Sequence, residues 1–457
     1  MTATRSDALH PSGDLLGHPK GLGFLFATEM WERFSYYGMR ALLVLYMVHY
    51  LLRPGTAEGV LGLATLRRVL EGAAGPLDIQ PLSSLIYGLY TSLVYFTPIL
   101  GGLLADRVLG QRRTVIIGAS LMAVGHFLMA VQSFFLPALF VLILGNGAFK
   151  PNISTQVGGL YPPGDPRRDR AFSIFYVGIN LGATLAPWVC GILGEDVGWH
   201  YGFAAAGVGM VIGLVIYLSA GSALPPDALK RSRRETTTPD RVTWRAIAAL
   251  SLLFLPTTLF WAAYEQQGNT IVLWTDDFTD RVIDLGIWRA EIPVTVFQGL
   301  NPALILAFTP FVVAFWARQA RRGREPSTLT KMALGCHGVA IAYLMLALAA
   351  WRIAGGGRAS WLWLAAYFVI LTLGELYLSP VGLSLVTKLA PRRLLSTMMG
   401  VFLATSFIGN FLAGWLGSLW SSLSKPSFFL LIAAIAAGAG VAIGAMAKPL
   451  RPILEGR

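Results

Sequence analysis

Residues 28–40, with the sequence TEMWERFSYYGMR, place four charged side chains inside a segment that is otherwise apolar enough to cross a membrane. The charged residues are Glu29, Glu32, Arg33 and Arg40, with Tyr36 and Tyr37 beside them. A charge costs about 3 kcal/mol or more at the centre of a bilayer, so intramembrane charges commonly have a function. On a helix these six side chains share one face. We therefore predict a spanning helix whose polar face lines a cavity inside a helical bundle.

The composition of the whole chain indicates an all-α integral membrane protein. Of its 457 residues, 55% are hydrophobic and only 13% are charged, against about 25% charged in an average soluble domain. The spans should be helices, because unpaired backbone groups are too costly in lipid. The predicted spans are residues 21–52, 82–104, 114–131, 134–160, 171–193, 198–220, 246–274, 294–317, 329–350, 361–389, 395–423 and 428–446. This makes about twelve spanning helices, with a short additional helix around residues 63–70.

The distribution of Lys and Arg sets the expected orientation. Basic residues concentrate in the loops after the second, fourth, sixth, eighth and tenth predicted helices, and such loops face the cytoplasm. Both termini are therefore expected to be cytoplasmic. Because topology accounts for the net charge of +12, we reject nucleic acid as a partner. Cys190 and Cys336 lie in apolar stretches, so neither a disulfide framework nor a metal site is expected.

A polar, basic stretch at residues 222–243 is the predicted cytoplasmic linker between two six-helix bundles. The bundles are residues 21–221 and 244–448, with a disordered cytoplasmic tail at residues 1–20 and a second cytoplasmic tail at residues 449–457. This layout resembles the major facilitator superfamily, whose substrate site lies near the membrane midplane between the halves.

A loop motif agrees with that resemblance. Residues 101–113, GGLLADRVLGQRR, are similar to the superfamily's signature loop between the second and third helices. The resemblance gives Asp106 a role in the cytoplasmic gate. The alternative is a basic loop that only fixes the topology.

A more specific resemblance rests on five stretches. Residues 29–38, EMWERFSYYG, match the E-x-x-E-R-F-x-Y-Y-G motif of the proton-coupled oligopeptide transporters. Four more stretches match that family in order: residues 147–154 (GAFKPNIS), 172–182 (FSIFYVGINLG), 261–268 (WAAYEQQG) and 374–383 (GELYLSPVGL). Because the ordered matches cover nearly the whole chain, the sequence is identified as a member of this family.

The resemblance implies that intramembrane ionisable groups couple transport to protons. These groups are Glu29, Glu32, Arg33, Lys150 and Glu265. A buried carboxyl group can hold a proton near neutral pH, which makes the acids plausible proton carriers. The alternatives are a static buried salt bridge for Glu29 and Glu32, and for Lys150 a side chain that extends to the membrane interface.

The resemblance also implies a substrate site. Its members are Arg33, Tyr37, Arg40, Tyr95, Lys150, Asn180, Trp261, Glu265, Asn301, Glu375 and Phe402. Glu375 would bind the amino terminus of a peptide, and Arg33 and Arg40 its carboxylate. Asn180 and Asn301 could hydrogen-bond the peptide's own amide groups. For any single tyrosine of the set, ordinary core packing is an alternative.

Salt bridges between the two halves are the expected gates. The resemblance pairs Lys150 with Glu375 on the outer side and Arg40 with Glu265. Asp106 would act at the cytoplasmic end.

Two positions depart from the family's pattern. Gly88 stands where animal members have a histidine, so proton binding must rest on carboxylates. Phe402 stands where a tryptophan is usual, which keeps an aromatic wall but removes the indole donor. The histidines fall on no motif, and we treat them as incidental: His10, His18, His49, His126, His200 and His337.

The predicted function is a symporter that imports di- and tripeptides with protons by alternating access. We expect a monomer in the cell inner membrane, with the lipid bilayer as its surroundings. The absence of a P-loop motif argues against ATP drive, and neither enzymatic activity nor a cofactor other than the coupling proton is expected. One alternative is a transporter of the same family that carries a non-peptide anion or a peptide-like drug. A signalling receptor and a proton-independent facilitator are disfavoured, respectively, by the short tails and by the many intramembrane acids.

Overall fold

A computed structural model describes residues 14–15, 17–162, 165–225, 227, 241–284, 286, 289–389 and 395–454. Within these residues the chain forms fourteen α-helices. They are α1 (Lys20–Tyr46), α2 (Leu63–Ala74), α3 (Ile79–Leu104), α4 (Gln111–Met129), α5 (Phe135–Gly159), α6 (Arg167–Ala186), α7 (Trp199–Ser219), α8 (Arg241–Tyr264), α9 (Thr270–Phe278), α10 (Leu300–Arg321), α11 (Thr328–Arg352), α12 (Trp361–Leu389), α13 (Leu395–Gly417) and α14 (Lys425–Leu454).

The predicted all-α membrane fold is confirmed. In the described part of the chain, nine helical stretches are long and apolar enough to cross a membrane. Helix α1, which carries the charged motif, is not among these nine. The short helix expected around residues 63–70 is present as α2.

Among the described residues, six short strands accompany the helices, and the sequence did not predict them. They are β1 (Asp14–Leu15), β2 (His18–Pro19), β3 (Thr279–Asp280), β4 (Val282–Asp284), β5 (Arg289–Glu291) and β6 (Ala359–Ser360). Strands β1 and β2 are antiparallel, β3 and β6 are parallel, and β4 and β5 form an antiparallel pair. At two or three residues each they are too short to show the period of two on which strand prediction depends.

Two compact units can be distinguished, residues 1–39 with 97–232 and residues 40–96 with 233–457. Helices α1 and α3 therefore each contribute to both units. In the first unit α4 packs against α5 and α7. In the second, α11 packs against α12 and α14, and α8 packs against α13 and α14. The predicted division at residues 222–243 stays a prediction.

Parts of the predicted tails and linker lie outside the described residues. These parts are residues 1–13, 16, 226, 228–240 and 455–457. At the start of the chain, the imidazole Nδ1 of His18 lies 2.8 Å from the Tyr161 hydroxyl, and Arg167 donates to the carbonyl of Gly17 at 3.2 Å. At the end, α14 continues to Leu454, beyond the predicted boundary at residue 448.

The seventh predicted span, residues 246–274, is interrupted. Helix α8 ends at Tyr264, a 3₁₀ turn covers Glu265–Gly268, and α9 begins at Thr270. Asn269 lies between them with φ −122° and ψ −92°, outside the helical region. Side chains of this segment bind neighbouring helices, because Gln266 donates from its amide nitrogen to the carbonyl of Ala413 at 2.8 Å and the Asn269 amide oxygen accepts from the Ser84 hydroxyl at 2.9 Å.

Candidate functional site

The first unit contains a buried ionic cluster formed within α1. Arg33 Nη2 donates to Glu32 Oε1 at 2.6 Å, and Arg33 Nε forms a second contact with the other carboxylate oxygen of Glu32. Arg33 Nε also lies 3.3 Å from Glu29 Oε1. At most 3% of each of the three residues is exposed. Arg33 therefore pairs with both carboxylates, and these ion pairs are shielded from water.

Two side chains of α5 extend this cluster. Asn146 Nδ2 donates to Glu32 Oε1 at 3.4 Å, and Lys150, one turn later, interacts electrostatically with Glu29. The second oxygen of Glu29 is buried and accepts no hydrogen bond from the described residues. That oxygen can hold a proton without displacing a hydrogen bond from those residues, which distinguishes Glu29 from Glu32.

Three further polar side chains of the first unit are Tyr36, Tyr37 and Asn180. The Arg33 guanidinium lies 5.2 Å from the ring centre of Tyr36, which packs edge-on against Tyr37. Asn180, buried on α6, uses its amide nitrogen to donate to the carbonyl of Tyr176 at 3.0 Å.

The second unit contains a separate buried ionic cluster. Arg40 Nη2 pairs with Glu265 Oε2, the ion pair that the family resemblance implies. Arg40 also donates twice to the Tyr87 hydroxyl oxygen, from Nε at 2.9 Å and from Nη2 at 2.6 Å. The exposed fraction is 8% for Arg40, 2% for Glu265 and 0% for Tyr87. Tyr87 lies on α3, where Tyr95 was the predicted site residue. Tyr87 was not predicted, although it directly precedes Gly88, one of the two departures from the family's pattern.

The absence of a histidine at position 88 has a steric reason. A Cβ atom added to Gly88 would lie 2.5 Å from the Cα of Gly414. Glycines on both helices permit this close backbone approach, a common device in membrane helix packing. A histidine would fit only if α3 and α13 separated.

Glu375 belongs to a network of neutral groups in the second unit. Asn301 Nδ2 donates to Glu375 Oε2 and to Thr372 Oγ1, both at 3.0 Å. The Tyr264 hydroxyl lies 3.2 Å from Asn301 Oδ1 and within hydrogen-bond reach of Glu375, and its single hydrogen is donated to one of these two acceptors at a time. Tyr264 directly precedes Glu265, so consecutive residues belong to the Glu375 network and the Arg40 cluster. Tyr264 was not among the predicted site residues.

The two predicted aromatic walls lie in different surroundings. Trp261 packs edge-on against Tyr264 with ring centres 5.5 Å apart, and its indole nitrogen is buried without a hydrogen-bond partner among the described residues. Phe402 is 7% exposed and packs against Gly382. Its cavity is mainly apolar and is lined by Leu250, Leu253, Phe254, Thr257, Met332, Gly382 and Leu385. Trp261 therefore lies next to the polar network, whereas Phe402 lies in an apolar pocket.

The loop motif at residues 101–113, which carries the predicted gate residue Asp106, is contacted by a second acid, Asp227, that was not predicted. Asp106 lies in a π-helical turn, Ala105–Leu109, after α3. Gly110 follows with φ +81°, and Asp227 Oδ1 accepts a hydrogen bond from the backbone N–H of Arg112 at 2.7 Å. A carboxylate there satisfies a free donor in the first turn of α4 and interacts favourably with the helix dipole. Tyr95, on α3, is half-buried.

No group of three or more His, Cys, Asp or Glu side chains that could hold a metal ion occurs in the described part of the chain. Cys190 and Cys336 are free thiols and are both buried.

Comparison with known proteins gives consistent results. The family model described as the POT family matches residues 112–227 and 228–428. The chain is 34% identical to the peptide transporter YePEPT of Yersinia enterocolitica subsp. palearctica, over 88% of each chain. It is 32% identical to a di-/tripeptide transporter of Lactococcus lactis subsp. lactis, over 96% of this chain and 97% of the relative.

Solved structures agree with the sequence matches. The crystal structure of a peptide transporter POT in complex with sulfate superposes with a TM-score of 0.83, at 30% identity over 99% of both chains. A POT family transporter in complex with 5-aminolevulinic acid also gives a TM-score of 0.83, at 28% identity, covering 97% of this chain and 99% of the other.

Proposed function

The chain belongs to the POT family, and we propose that it imports di- and tripeptides together with protons. The names of its relatives support the substrate class. The observation that carries the proposal is the pair of consecutive residues Tyr264 and Glu265. Tyr264 belongs to a network that presents the carboxylate of Glu375, and Glu265 pairs with the guanidinium of Arg40. A peptide has one ammonium and one carboxylate, and these two groups are complementary to Glu375 and Arg40.

In the proposed binding mode, Glu375 accepts hydrogen bonds from the peptide's amino terminus. Asn301 and Tyr264, both neutral, hydrogen-bond Glu375 and orient it without neutralising its charge. Arg33 and Arg40 bind the peptide's carboxylate. The remaining members of the proposed substrate site are Tyr37, Tyr95, Lys150, Asn180, Trp261 and Phe402.

Proton coupling follows from the exchange of partners at Arg40. A buried guanidinium without a carboxylate is costly, so protonation of Glu265 is favoured only when another anion takes its place. The carboxylate of the incoming peptide is that anion. One proton at Glu265 therefore accompanies one peptide carboxylate at Arg40, which links the two transported species.

The first cluster provides a second proposed proton site. When Glu29 and Glu32 are both ionised, they are balanced by Arg33 and Lys150. A proton on Glu29 would weaken its attraction to Lys150 and free that lysine to pair with Glu375, as proposed for the outer gate. Asp106 would act at the cytoplasmic gate. The static salt bridge is the alternative for Glu29 and Glu32.

We further propose a monomer in the cell inner membrane, with both termini cytoplasmic, that works by alternating access. The coupling proton is the only non-peptide species that this mechanism requires. A second candidate is a transporter of a peptide-like compound, favoured by the related structure that holds 5-aminolevulinic acid. That molecule also has one amino and one carboxyl group, so the same two charged groups would recognise it.

The test uses the protein reconstituted in liposomes. With an inward proton gradient, labelled dialanine should accumulate, and alanine and 5-aminolevulinic acid serve as competitors. Glu375→Gln should abolish peptide binding, and Glu265→Gln should retain exchange of peptide but lose accumulation driven by the gradient. Glu71→Gln, at a half-buried position of α2 outside the proposed site, is the control and should transport normally. Equal uptake with and without the gradient in the unaltered protein would contradict the proposal.

A further inference from the structure

The end of the α1 segment contacts α9 directly, in addition to the pair that Arg40 forms with Glu265 in the turn before α9. His49 Nε2 lies 2.6 Å from Asp276 Oδ2. His49 lies in the π-helical turn Met47–Leu51 that follows α1, about 13 Å beyond Arg40 at 1.5 Å per residue. Asp276 lies in the last turn of α9. The first contact therefore joins α1 to the turn before α9 and is buried, and the second joins the turn after α1 to the last turn of α9.

The outer contact is accessible to water, unlike the inner one. The side chains of His49 and Asp276 are 36% and 22% exposed, against 9% and 3% for Arg40 and Glu265. A histidine at such a place changes its charge between about pH 5 and 8. Neutral imidazole gives Asp276 a hydrogen bond, whereas imidazolium adds the attraction of opposite charges.

The other charged groups around His49 reinforce the pair more than they oppose it. Asp277, next to Asp276 on α9, attracts the imidazolium, and Arg53 in the turn after α1 repels it. Lys425 and Arg358 act on Asp277. Lys425 is itself held over the ring of Trp420, with its nitrogen 4.0 Å from the ring centre.

Helix α9 is a short helix distinct from α8. It is nine residues long and is divided from α8 by the 3₁₀ turn and by Asn269. Its apolar contact with α14, between Trp274 and Phe429 with ring centres 5.2 Å apart, does not depend on pH. The contact with His49, by contrast, changes its strength when the imidazole gains a proton.

We propose that His49 and Asp276 form an acid-strengthened clasp that holds α9 on α1. An acidic exterior protonates His49 and tightens the clasp, under the same conditions that favour protonation of Glu265 and release of Arg40. The clasp then keeps the outer ends of the two helices together while the inner pair exchanges partners. Its part in transport rests on the proposed function and orientation, but the acid-strengthened contact itself does not.

The test is hydrogen exchange of α9 in the full-length protein, corrected for the intrinsic effect of pH. In the unaltered protein, exchange should be about two- to fivefold slower at pH 5.5 than at pH 7.5, as for a partly exposed charge pair. His49→Gln should exchange fast at both pH values, and His49→Lys, which keeps its charge, slowly at both. Asp276→Asn removes the other partner and should abolish the pH difference.

Arg67→Gln is the matched control, because it breaks an exposed ion pair with Glu71 on α2 in the same unit. It should retain the pH difference. An unaltered protein with no pH difference, or a His49→Gln variant that keeps it, would overturn the clasp. Hydrogen exchange involves no substrate, so the two proposals can fail separately. No pH difference in α9 together with normal gradient-driven uptake would contradict the clasp alone. A pH difference in α9 without gradient-driven uptake would contradict only the proposed function.

Discussion

Two arginines of one helix are neutralised in different ways. Arg33 pairs with Glu29 and Glu32, which precede it by four residues and one residue. Arg40 pairs with Tyr87 and Glu265, which are 47 and 225 residues away. In the first cluster Arg33 and both acids lie on α1, with Asn146 and Lys150 of α5 beside them, whereas the second cluster holds α1 to α3 and to the turn before α9. Protonation should therefore alter side-chain packing at Arg33 but helix association at Arg40.

The largest expected effect is the loss of Arg40. Arg40→Met leaves Glu265 buried without its cation, and breaking such a pair costs about 3–5 kcal/mol. The measurement is thermal unfolding in detergent. The double variant Arg40→Met/Glu265→Leu should recover most of the loss, because the uncompensated charge is gone. Equal destabilisation of the single and double variants would show that Glu265 does not depend on Arg40.

Removal of the Tyr87 hydroxyl should cause the next largest loss of stability. Tyr87→Phe removes the oxygen that accepts two hydrogen bonds from Arg40, and a bond to a charged group contributes about 1.5–3 kcal/mol. Thermal unfolding again measures the change. Tyr201→Phe, at an exposed ring of α7, is the control and should be neutral. A neutral Tyr87→Phe would mean that Glu265 alone holds Arg40.

The close approach at Gly88 allows a steric test of the second cluster. Gly88→Ala should destabilise the protein by about 1–3 kcal/mol through overpacking, and Gly88→His by more. Gly438→Ala on α14 is the matched control, because a Cβ there meets no atom within 4 Å. Alanine favours a helix over glycine by up to about 1 kcal/mol, so the control should be neutral or slightly stabilised. A stable Gly88→His protein would refute the steric reason for the missing histidine.

The smallest expected change in stability is the difference between neutralising Glu29 and neutralising Glu32 in the first cluster. Glu32 contacts Arg33 twice and accepts from Asn146, whereas Glu29 has one oxygen without a partner among the described residues. Glu32→Gln should therefore destabilise the protein by about 1 kcal/mol more than Glu29→Gln. Paired unfolding measurements in one detergent would detect this difference. The opposite order would identify Glu32 as the easier acid to neutralise.

The same contrast explains what could be predicted from the sequence. The Arg33 cluster follows from helical spacing, because its partners lie within two turns. The Arg40–Glu265 pair was available only through the family resemblance, since no local pattern relates residues 225 positions apart. Helix positions followed from hydropathy, which persists over whole spans.

The missed features share a physical cause. The hydroxyl groups of Tyr87 and Tyr264 lie in apolar runs, where a tyrosine resembles a packing residue until its partner is known. The break between α8 and α9 lies where Asn269 and Gln266 hydrogen-bond Ser84 and Ala413, which are on other helices. Asp227 lies in a polar stretch, where no sequence pattern marks it as the acid that binds the start of α4. In each case the decisive contact comes from a distant part of the chain.

The central claim is that a proton on Glu265 accompanies the peptide carboxylate at Arg40. The most direct measurement is proton uptake on binding of dialanine to the purified protein, in weakly buffered solution with a pH indicator. The unaltered protein should take up protons with dialanine and fewer with dialanine amide, which lacks the carboxylate, and Glu265→Gln should remove this difference between the ligands. If Glu265→Gln takes up as many protons with dialanine as the unaltered protein does, the claim is wrong.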